Sequence, residues 1–263
     1  MKVLSVALYP VKSMRPIVTT SLELDAKGVV GDRRWMVVDA DDKFVSQRAT
    51  PAMARLQPSL IDGGLRIDDG SSQLDVALPP GIAPRRTVTL WRDTFPALDA
   101  GEEVAKWLSS RLGIECRLVA FADDVRREVD VTYAKDSQTT FTDAYPLLIV
   151  NEASLDALNE KLPAPIPMER FRPNLVVRAE GAWVEDKWTS VQVDGIQLDA
   201  VKPCARCVTI TTDQWTGDRP QGSLPLTALA ELNTIPKFGA IFGMNLVHRA
   251  FGTLRVGSHV VVK

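Results

Sequence analysis

The chain has 263 residues, a formal net charge of -2 and only three cysteines. This length can bury a substantial core in one large or two small domains. With 45% apolar and 24% charged residues, the composition is that of an ordinary globular protein rather than a disordered chain. The 31 Lys and Arg are matched by 33 Asp and Glu, which excludes a strongly basic nucleic-acid-binding protein. Three cysteines exclude a disulfide framework and a self-contained four-thiolate iron–sulfur cluster.

The N-terminal segment does not have the features of a targeting sequence. Its apolar run, Val3–Leu8, is too short for a signal peptide, and no small-residue cleavage site follows it. No stretch of the chain approaches the ~18 apolar residues of a membrane span, so we expect no membrane association. These features predict a cytoplasmic location in which the cysteines stay reduced.

Most of the chain consists of short segments with the composition of β-strands. The strand-like segments are residues 3–8, 35–38, 65–67, 74–78, 191–193, 196–198, 254–256 and 260–262. Asp-Gly pairs at 69–70 and 194–195 predict hairpin turns, the second of type I′. A Gly-Ser turn at 257–258 predicts that the last two segments pair with each other.

Three segments have the apolar spacing of helices: Asp99–Leu112, Glu152–Leu162 and Pro225–Leu232. Asp99 is the expected N-cap of the first helix, and Gly113 is expected to end it. Strands do not alternate regularly with helices, and no dinucleotide-binding or Walker glycine loop is present. We therefore expect a mainly β, α+β protein with a β-barrel, and not a Rossmann fold.

The most informative stretch runs from Lys202 to Asp213, where Cys204 and Cys207 are three residues apart and Arg206 precedes the second. A thioredoxin-type pair opens a helix, whereas the β-branched residues after this pair predict a strand. A structural zinc site needs four ligands, and no second close pair of ligands is present. A third interpretation is one exposed thiolate that binds a soft metal beside a cation. Two buried strand cysteines without a function are the remaining alternative.

Two further clusters carry groups that bind anions. Pro173 favours extended backbone at Arg172, so Arg172 and Asn174 are predicted to point to the same side of a strand. A guanidinium and an amide on one face suit a phosphate or a polar heterocycle, although a solvated arginine at a strand edge is an equal alternative. Lys12 and Ser13 follow the first strand and are a second candidate phosphate contact.

Taken in chain order, these motifs resemble those of one family. The matching motifs are Tyr9-Pro10-Val11-Lys12-Ser13, Gly31-Asp32-Arg33-Arg34-Trp35, Phe171-Arg172-Pro173-Asn174, Cys204-Ala205-Arg206-Cys207 with Thr211 and Asp213, Phe242-Gly243-Met244-Asn245, and Val256-Gly257. Their order is similar to that in MOSC-domain proteins, named after the C-terminal domain of molybdenum cofactor sulfurase. The resemblance is to the branch with a MOSC N-terminal β-barrel domain, which includes the mitochondrial amidoxime-reducing component and bacterial YcbX-type reductases.

The resemblance implies that the protein binds the molybdenum cofactor (Mo-molybdopterin), whose pyranopterin dithiolene holds the metal. Cys207 would be the protein's ligand to molybdenum and its catalytic residue. The implied contacts to the phosphate and the pterin are Lys12, Ser13, Arg33, Arg172, Asn174, Arg206 and Asn245. Thr211 and Asp213 would lie in the strand after the ligand and support its loop.

The resemblance also implies a domain division. Residues 1–122 would form the MOSC N-terminal domain and residues 123–263 the MOSC domain. Because Lys12 and Arg33 should reach the cofactor, residues 1–34 are expected to pack with the C-terminal barrel. Ala144 and Tyr145 occupy positions where the mitochondrial enzymes carry two small hydroxyl residues, which leaves the pocket wall and the substrate preference open.

The implied activity is the molybdenum-dependent reduction of N-hydroxylated compounds, namely amidoximes, hydroxylamines or hydroxylated nucleobases. The alternative is a non-catalytic carrier of the molybdenum cofactor or of a persulfide on Cys207. With Cys207 as a metal ligand, Cys116 and Cys204 are the only thiols left. Two thiols cannot hold an iron–sulfur cluster of the four-thiolate kind, so electrons are expected from a separate protein with a flavin, haem or iron–sulfur centre.

Overall fold

A computed structural model describes all residues from Met1 to Lys263. The protein is mainly β, as predicted, with 21 strands and three α-helices. The first eleven strands are β1 Val3–Leu8, β2 Ile17–Thr19, β3 Ser21–Asp25, β4 Gly28–Val29, β5 Trp35–Asp39, β6 Gln57–Ile61, β7 Gly64–Asp68, β8 Gln73–Ala77, β9 Arg85–Leu90, β10 Asp93–Asp99 and β11 Cys116–Ala120. The other ten are β12 Arg127–Glu128, β13 Gln138–Thr139, β14 Leu147–Asn151, β15 Leu175–Val177, β16 Ser190–Val193, β17 Ile196–Ala205, β18 Thr234–Ile235, β19 Gly239–His248, β20 Gly252–Arg255 and β21 Val260–Val262. The helices are α1 Glu102–Leu112, α2 Glu152–Asn159 and α3 Leu224–Leu232.

The largest sheet has the strand order β2-β1-β15-β14-β19-β17-β16-β21, with β18 paired to β19. All its pairs are antiparallel except β14 with β15, which are parallel, as expected for strands joined by the α2 crossover. The sheet curls until a single bridge between Lys2, just before β1, and His259, just before β21, brings these two strands together. The β-barrel expected from the sequence is therefore an open, curled sheet without a closed ladder.

A second unit contains the sheet β5-β11-β10-β9, the helix α1 and the three-stranded sheet β6-β7-β8. Its apolar residues form a separate core of 27 buried residues, whereas 18 others fill the inside of the curled sheet. The first strands pair with strands from the C-terminal half of the chain. Val6 of β1 pairs with Leu175 of β15, and Leu22 of β3 pairs with Leu254 of β20. The boundary between residues 122 and 123 stays a prediction.

The predictions of the two hairpins are confirmed, whereas the prediction for the final strands is wrong. The hairpin of β7 with β8 is confirmed, and φ values of 46° at Asp194 and 89° at Gly195 confirm the I′ turn. The predicted pairing of the last two strands is wrong, because β20 pairs with β3 and β21 pairs with β16. The carboxylate of Asp194 accepts the hydroxyl of Ser258 and the N–H of His259, which directs β21 to the edge of β16.

Each helix is present, but its boundaries differ from the predicted ones. The first begins at Glu102 and not at Asp99, which ends β10 and accepts the N–H of Gly101 at 2.8 Å. Gly113 ends this helix in the left-handed conformation, as predicted. The second helix ends three residues early at Asn159, and the third begins one residue early at Leu224.

Candidate functional site

An open cleft lies where the curled sheet meets the unit that contains β5. Eight of the ten predicted site residues line it: Lys12, Ser13, Arg33, Arg172, Asn174, Arg206, Cys207 and Asn245. They come from the ends of β1, β15 and β17, from the start of β5 and from β19. The fold therefore brings together side chains that are up to 233 residues apart in the chain (245 − 12).

Cys207 is the exposed thiol of the cleft. Pairing of β17 with β19 ends near Ala205, and the residues after Cys207 form a 3-10 helix, Val208–Thr211. The strand predicted here is wrong: the Thr211 hydroxyl donates to the Val208 carbonyl at 2.7 Å and closes a turn. The sulfur lies 3.2 Å from the Thr209 hydroxyl and otherwise faces the cleft.

Cys204 occupies a different environment from Cys207. It is half-buried, and its sulfur accepts a hydrogen bond from Arg206 Nη1 at 2.9 Å. The other end of the same guanidinium donates to the Phe171 carbonyl at 2.6 Å. The third thiol, Cys116, is buried in β11. No group of three or more His, Cys, Asp or Glu is arranged to hold a metal ion, so the zinc alternative finds no support.

The buried end of the cleft carries two guanidinium groups on one aromatic ring. The guanidinium carbons of Arg33 and Arg172 lie 4.2 and 4.3 Å from the centroid of Tyr9. Burial, followed by the Arg33 charge, lowers the pKa of Arg172 to about 10. Burial also raises the pKa of Tyr9 to about 12. Arg172 Nη2 is buried and has no acceptor, so it fits a ligand that brings an anionic oxygen, such as a phosphate.

The sequence predicts that Arg172 and Asn174 lie on one face of a strand, and this prediction is wrong. Arg172 has φ 57° and ends a 3-10 helix in the left-handed conformation, because its N–H donates back to the Glu169 carbonyl. Asn174 is only 1% exposed, and its amide is already used by backbone groups. It donates to the carbonyl of Ala7 at 3.2 Å and accepts the N–H of Leu148 at 3.1 Å.

Lys12 is a buried cation that lines the cleft and lies four residues after the end of β1. Its Nζ donates to the Phe141 carbonyl at 3.0 Å and to Asp143 at 2.6 Å. Burial lowers the pKa of Lys12, and the Asp143 carboxylate opposes this shift. An ammonium has three donors, so one is left for a ligand in the cleft.

Thr211 and Asp213 are the two predicted site residues that do not line the cleft. Thr211 is fully buried within the turn that follows Cys207. The carboxylate of Asp213 accepts the N–H groups of Trp215 and Thr216 at 2.9 and 3.0 Å and pairs with Arg170 at 3.1 Å. Both residues therefore contact the protein backbone and neighbouring side chains.

Sequence reasoning missed several residues that line the cleft or support the side chains in it. Tyr9 was part of a matching motif, yet nothing in the sequence indicates that it packs against two arginines. Asp143 and Trp91 form a hydrogen bond, in which Trp91 Nε1 donates to Asp143 Oδ1 at 3.0 Å. Arg48 also lines the wall. These residues belong to loops and turns, where no periodic pattern indicates that a side chain faces a site.

Curated proteins with similar sequences extend along almost the whole chain. The mitochondrial amidoxime-reducing component 1 of Mus musculus is 31% identical over 96% of this chain and 79% of its own length. The mitochondrial amidoxime reducing component 2 of Homo sapiens is 29% identical over 96% of this chain and 81% of its own length. The molybdenum cofactor sulfurase of Danio rerio is 29% identical over 97% of this chain, which spans only 34% of that protein.

These relatives correct the predicted location of the protein. The mouse and human proteins are named as mitochondrial, which contradicts the cytoplasmic location expected from the sequence. The prediction failed because it relied on the absence of a signal peptide and of a long apolar run. In the structure, none of the helices has the length and apolar character needed to cross a membrane.

Two family models together cover most of the chain. The MOSC N-terminal beta barrel domain matches residues 1–115, and the MOSC domain matches residues 136–261. The identity to the mouse protein extends across both matches. The chain therefore belongs to the MOSC-domain family, in the branch that carries a MOSC N-terminal domain together with the amidoxime-reducing components.

Proposed function

We propose that the protein is a molybdenum-cofactor-dependent reductase of N-hydroxylated compounds that receives electrons from a separate donor protein. One observation carries the proposal: a single exposed thiol, Cys207, shares a cleft with the guanidinium of Arg172, whose Nη2 atom is buried and has no partner. A soft metal ligand and an anion-binding group are what a cofactor with a metal and a phosphate needs. Relatives named for amidoxime reduction support the same activity.

In this proposal each end of the cleft holds a different part of the cofactor. Arg172, Arg33 and Lys12 would bind the phosphate, because they are cations with donors at the buried end. Arg206 and Asn245 would contact the pterin. Asn245 Nδ2 donates to the Lys202 carbonyl at 3.1 Å, which fixes the orientation of its amide. Ser13 would add a hydroxyl contact, and Asn174 would hold β1 and β14 in register around the site.

Cys207 would be the protein's ligand to molybdenum. When bound, the cofactor would supply the two-electron chemistry that removes oxygen from an N–OH group. The chain itself positions the two ends of the cofactor, because Cys207 is exposed whereas Arg172 is half-buried with its Nη2 atom enclosed. Arg172 would hold the phosphate of the cofactor at the enclosed end, and Cys207 would hold the metal at the open end, where substrate and protons from solvent have access.

The proposal of a separate electron donor rests on the distribution of thiols. With Cys207 committed to the metal, Cys116 is enclosed by the core of the β5 unit and Cys204 is bonded to Arg206. Neither Cys116 nor Cys204 has further cysteines available with which to hold an iron–sulfur cluster. A flavin, haem or iron–sulfur protein would therefore dock near the open end of the cleft and supply two electrons for each substrate.

An assay with two electron sources tests this function. Cofactor-loaded protein with a reduced viologen dye should convert an amidoxime to the amidine and a hydroxylamine to the amine. With NADH or NADPH as the only reductant, no conversion is expected. Loaded protein that fails with the dye would contradict the reductase. Steady conversion with NADH alone would contradict the separate donor.

The carrier alternative makes a different prediction for the same preparation. A carrier would hold the cofactor, or an added sulfur on Cys207, without turnover. Intact-mass measurement distinguishes the two, because a stable gain of one sulfur without a bound pterin indicates the carrier. The relatives named for amidoxime reduction do not favour this alternative.

A further inference from the structure

Trp91 occupies a backbone position that normally takes glycine. Leu90 pairs with Asp93, so β9 and β10 are joined by the two-residue turn of Trp91 and Arg92. Trp91 has φ 58°, which is a positive value at the first turn position, whereas Arg92 does not have one. Hairpin turns with a positive φ at this position prefer glycine, and a bulky residue here is an outlier. Such outliers cluster at ligand-binding sites, where the side chain offsets the strain.

Several contacts fix the orientation of the Trp91 ring. Nε1 donates to Asp143 Oδ1 at 3.0 Å, and Asp143 also pairs with Lys12, a proposed contact to the phosphate. The guanidinium carbon of Arg48 lies 4.3 Å from the ring centroid. The Phe44 ring lies 4.8 Å away at an interplanar angle of 53°. The ring is therefore held in place without being buried.

A large part of this ring remains available to a ligand. Trp91 is 45% exposed, and both Trp91 and Cys207 line the same cleft and the opening next to it. A tryptophan needed for core packing would be buried, and a turn alone would be better made by glycine. An exposed, oriented aromatic surface beside the metal ligand points instead to recognition of a planar group.

We propose that Trp91 determines the substrate specificity of the reductase. Its exposed surface would form a wall beside Cys207 on which the ring of an aromatic or heteroaromatic N-hydroxylated substrate stacks. Stacking between an aromatic side chain and a planar base is strong and tolerant of the ring's identity. The Arg48 cation beside the ring adds attraction to the same π-system. Aliphatic hydroxylamines have no ring and would not gain from this wall. The inference rests on the proposed reductase function.

Two variants test this role. Trp91→Gly removes the ring at a position whose backbone suits glycine, so the variant should fold and keep its melting temperature. Trp91→Phe keeps a smaller aromatic ring. The measured quantity is the ratio of kcat/KM for an aryl amidoxime to kcat/KM for a small aliphatic hydroxylamine. We expect this ratio to fall about tenfold in Trp91→Gly, through KM for the aryl substrate, as expected for one lost stacking contact. Trp91→Phe should restore most of it.

A control variant and a binding measurement keep this test separate from the reductase itself. Trp215→Phe changes another exposed tryptophan, which does not line the cleft, and should leave the ratio as it is. An unchanged ratio in Trp91→Gly would overturn the role of Trp91 while the reductase stands. If the wild-type protein reduces neither substrate, the proposed function fails. Calorimetric binding of the aryl amidine product then decides: weaker binding to Trp91→Gly supports the wall, and equal binding overturns it.

Discussion

Arg33 and Arg172 pack against the same Tyr9 ring, but only one of them has a carboxylate partner. Arg33 Nη1 lies 2.6 Å from Asp32, whereas the guanidinium of Arg172 donates only to the Met14 carbonyl, at 2.7 Å. Its Nη2 is buried without an acceptor. An unpaired cationic donor at a buried position is costly, so an anion bound here would stabilise the protein.

The first prediction concerns this anion site. In cofactor-free protein, inorganic phosphate should raise the melting temperature relative to chloride at equal ionic strength, because it binds only the folded state. Arg172→Gln should abolish this increase and lower the molybdenum content of protein made in a cofactor-competent host at least tenfold. The measurements are differential scanning fluorimetry and metal analysis.

Arg178→Gln is the matched control for the anion site. Arg178 is also an arginine near β15, but it is exposed and pairs with Glu152 and Asp156 on the surface. Surface pairs of this kind contribute little, so the control should respond to phosphate as the wild type does. A phosphate response that survives in Arg172→Gln would show that the anion binds elsewhere.

The second prediction concerns Gly243, which lies two residues before Asn245 in β19. It has φ +80°, and a Cβ atom would come within 2.5 Å of the Ile149 carbonyl oxygen. Gly243→Ala should therefore destabilise the fold by about 2–5 kcal/mol, the sum of backbone strain and overpacking. Urea denaturation measures the loss. We expect the cofactor content to fall as well, because β19 carries Asn245.

Gly239→Ala separates the two contributions. Gly239 begins the same strand with φ +78°, but no atom lies within 4 Å of the added Cβ. This variant carries only the strain, which is about 1–2 kcal/mol. If both glycine variants lose the same stability, the close approach to Ile149 does not matter.

The third prediction is a pH dependence at Asp99. Burial acts to raise the pKa of Asp99, but hydrogen bonds from Arg117 and the Gly101 N–H outweigh it and lower the pKa below its usual value. Its contribution to stability is therefore present above about pH 4, the unfolded value, and is lost as the pH falls through the folded value. Asp99→Asn should cost about 1–3 kcal/mol at pH 7 and much less at pH 3.

Asp75→Asn is the control for this pH dependence. Asp75 also accepts hydrogen bonds from an arginine, Arg66, but both side chains are exposed on the β7–β8 hairpin. No measurable loss of stability is expected at pH 7. Chemical denaturation at the two pH values checks both variants, and an equal loss for Asp99→Asn at pH 3 and pH 7 would contradict the assignment.

Elements with a strong local pattern could be predicted from the sequence. Alternation around Asp194-Gly195 indicates both strands and the turn between them, because the turn residues themselves require positive φ. The start of α1 could not be placed, because Asp99 is used by the sheet and by two arginines. An aspartate suits both an N-cap and the end of a strand, and the tertiary partners of Asp99 favour the second position.

The partners of the final strands were set by distant residues. Leu254 pairs with Leu22 and Val260 pairs with Val193, across separations that no local pattern indicates. The prediction of a strand after Cys207 failed for a related reason. Their β-branched composition suits a strand, but no neighbouring strand is available beyond Ala205, and the chain closes a 3-10 turn instead.

Some residues of the candidate site could also be predicted from the sequence, and others could not. Chain order and residue type were enough to select Lys12, Arg33, Arg172 and Cys207, which the fold places in one cleft. The wall formed by Trp91 could not be predicted, because its position depends on a turn conformation and on Asp143, 52 residues away. Loop residues acquire such neighbours only when the units pack together.

The role proposed for Cys207 as the molybdenum ligand in this cleft can be tested directly by metal analysis. Wild-type, Cys207→Ser and Cys204→Ser proteins, all made in a cofactor-competent host, should be compared by molybdenum content and by mass identification of the extracted pterin. We predict metal and pterin in the wild type, near-complete loss of molybdenum in Cys207→Ser, and retention in Cys204→Ser, whose hydroxyl can still accept from Arg206. A wild-type protein without molybdenum, or a Cys207→Ser protein with full molybdenum content and full reductase activity, would contradict the claim.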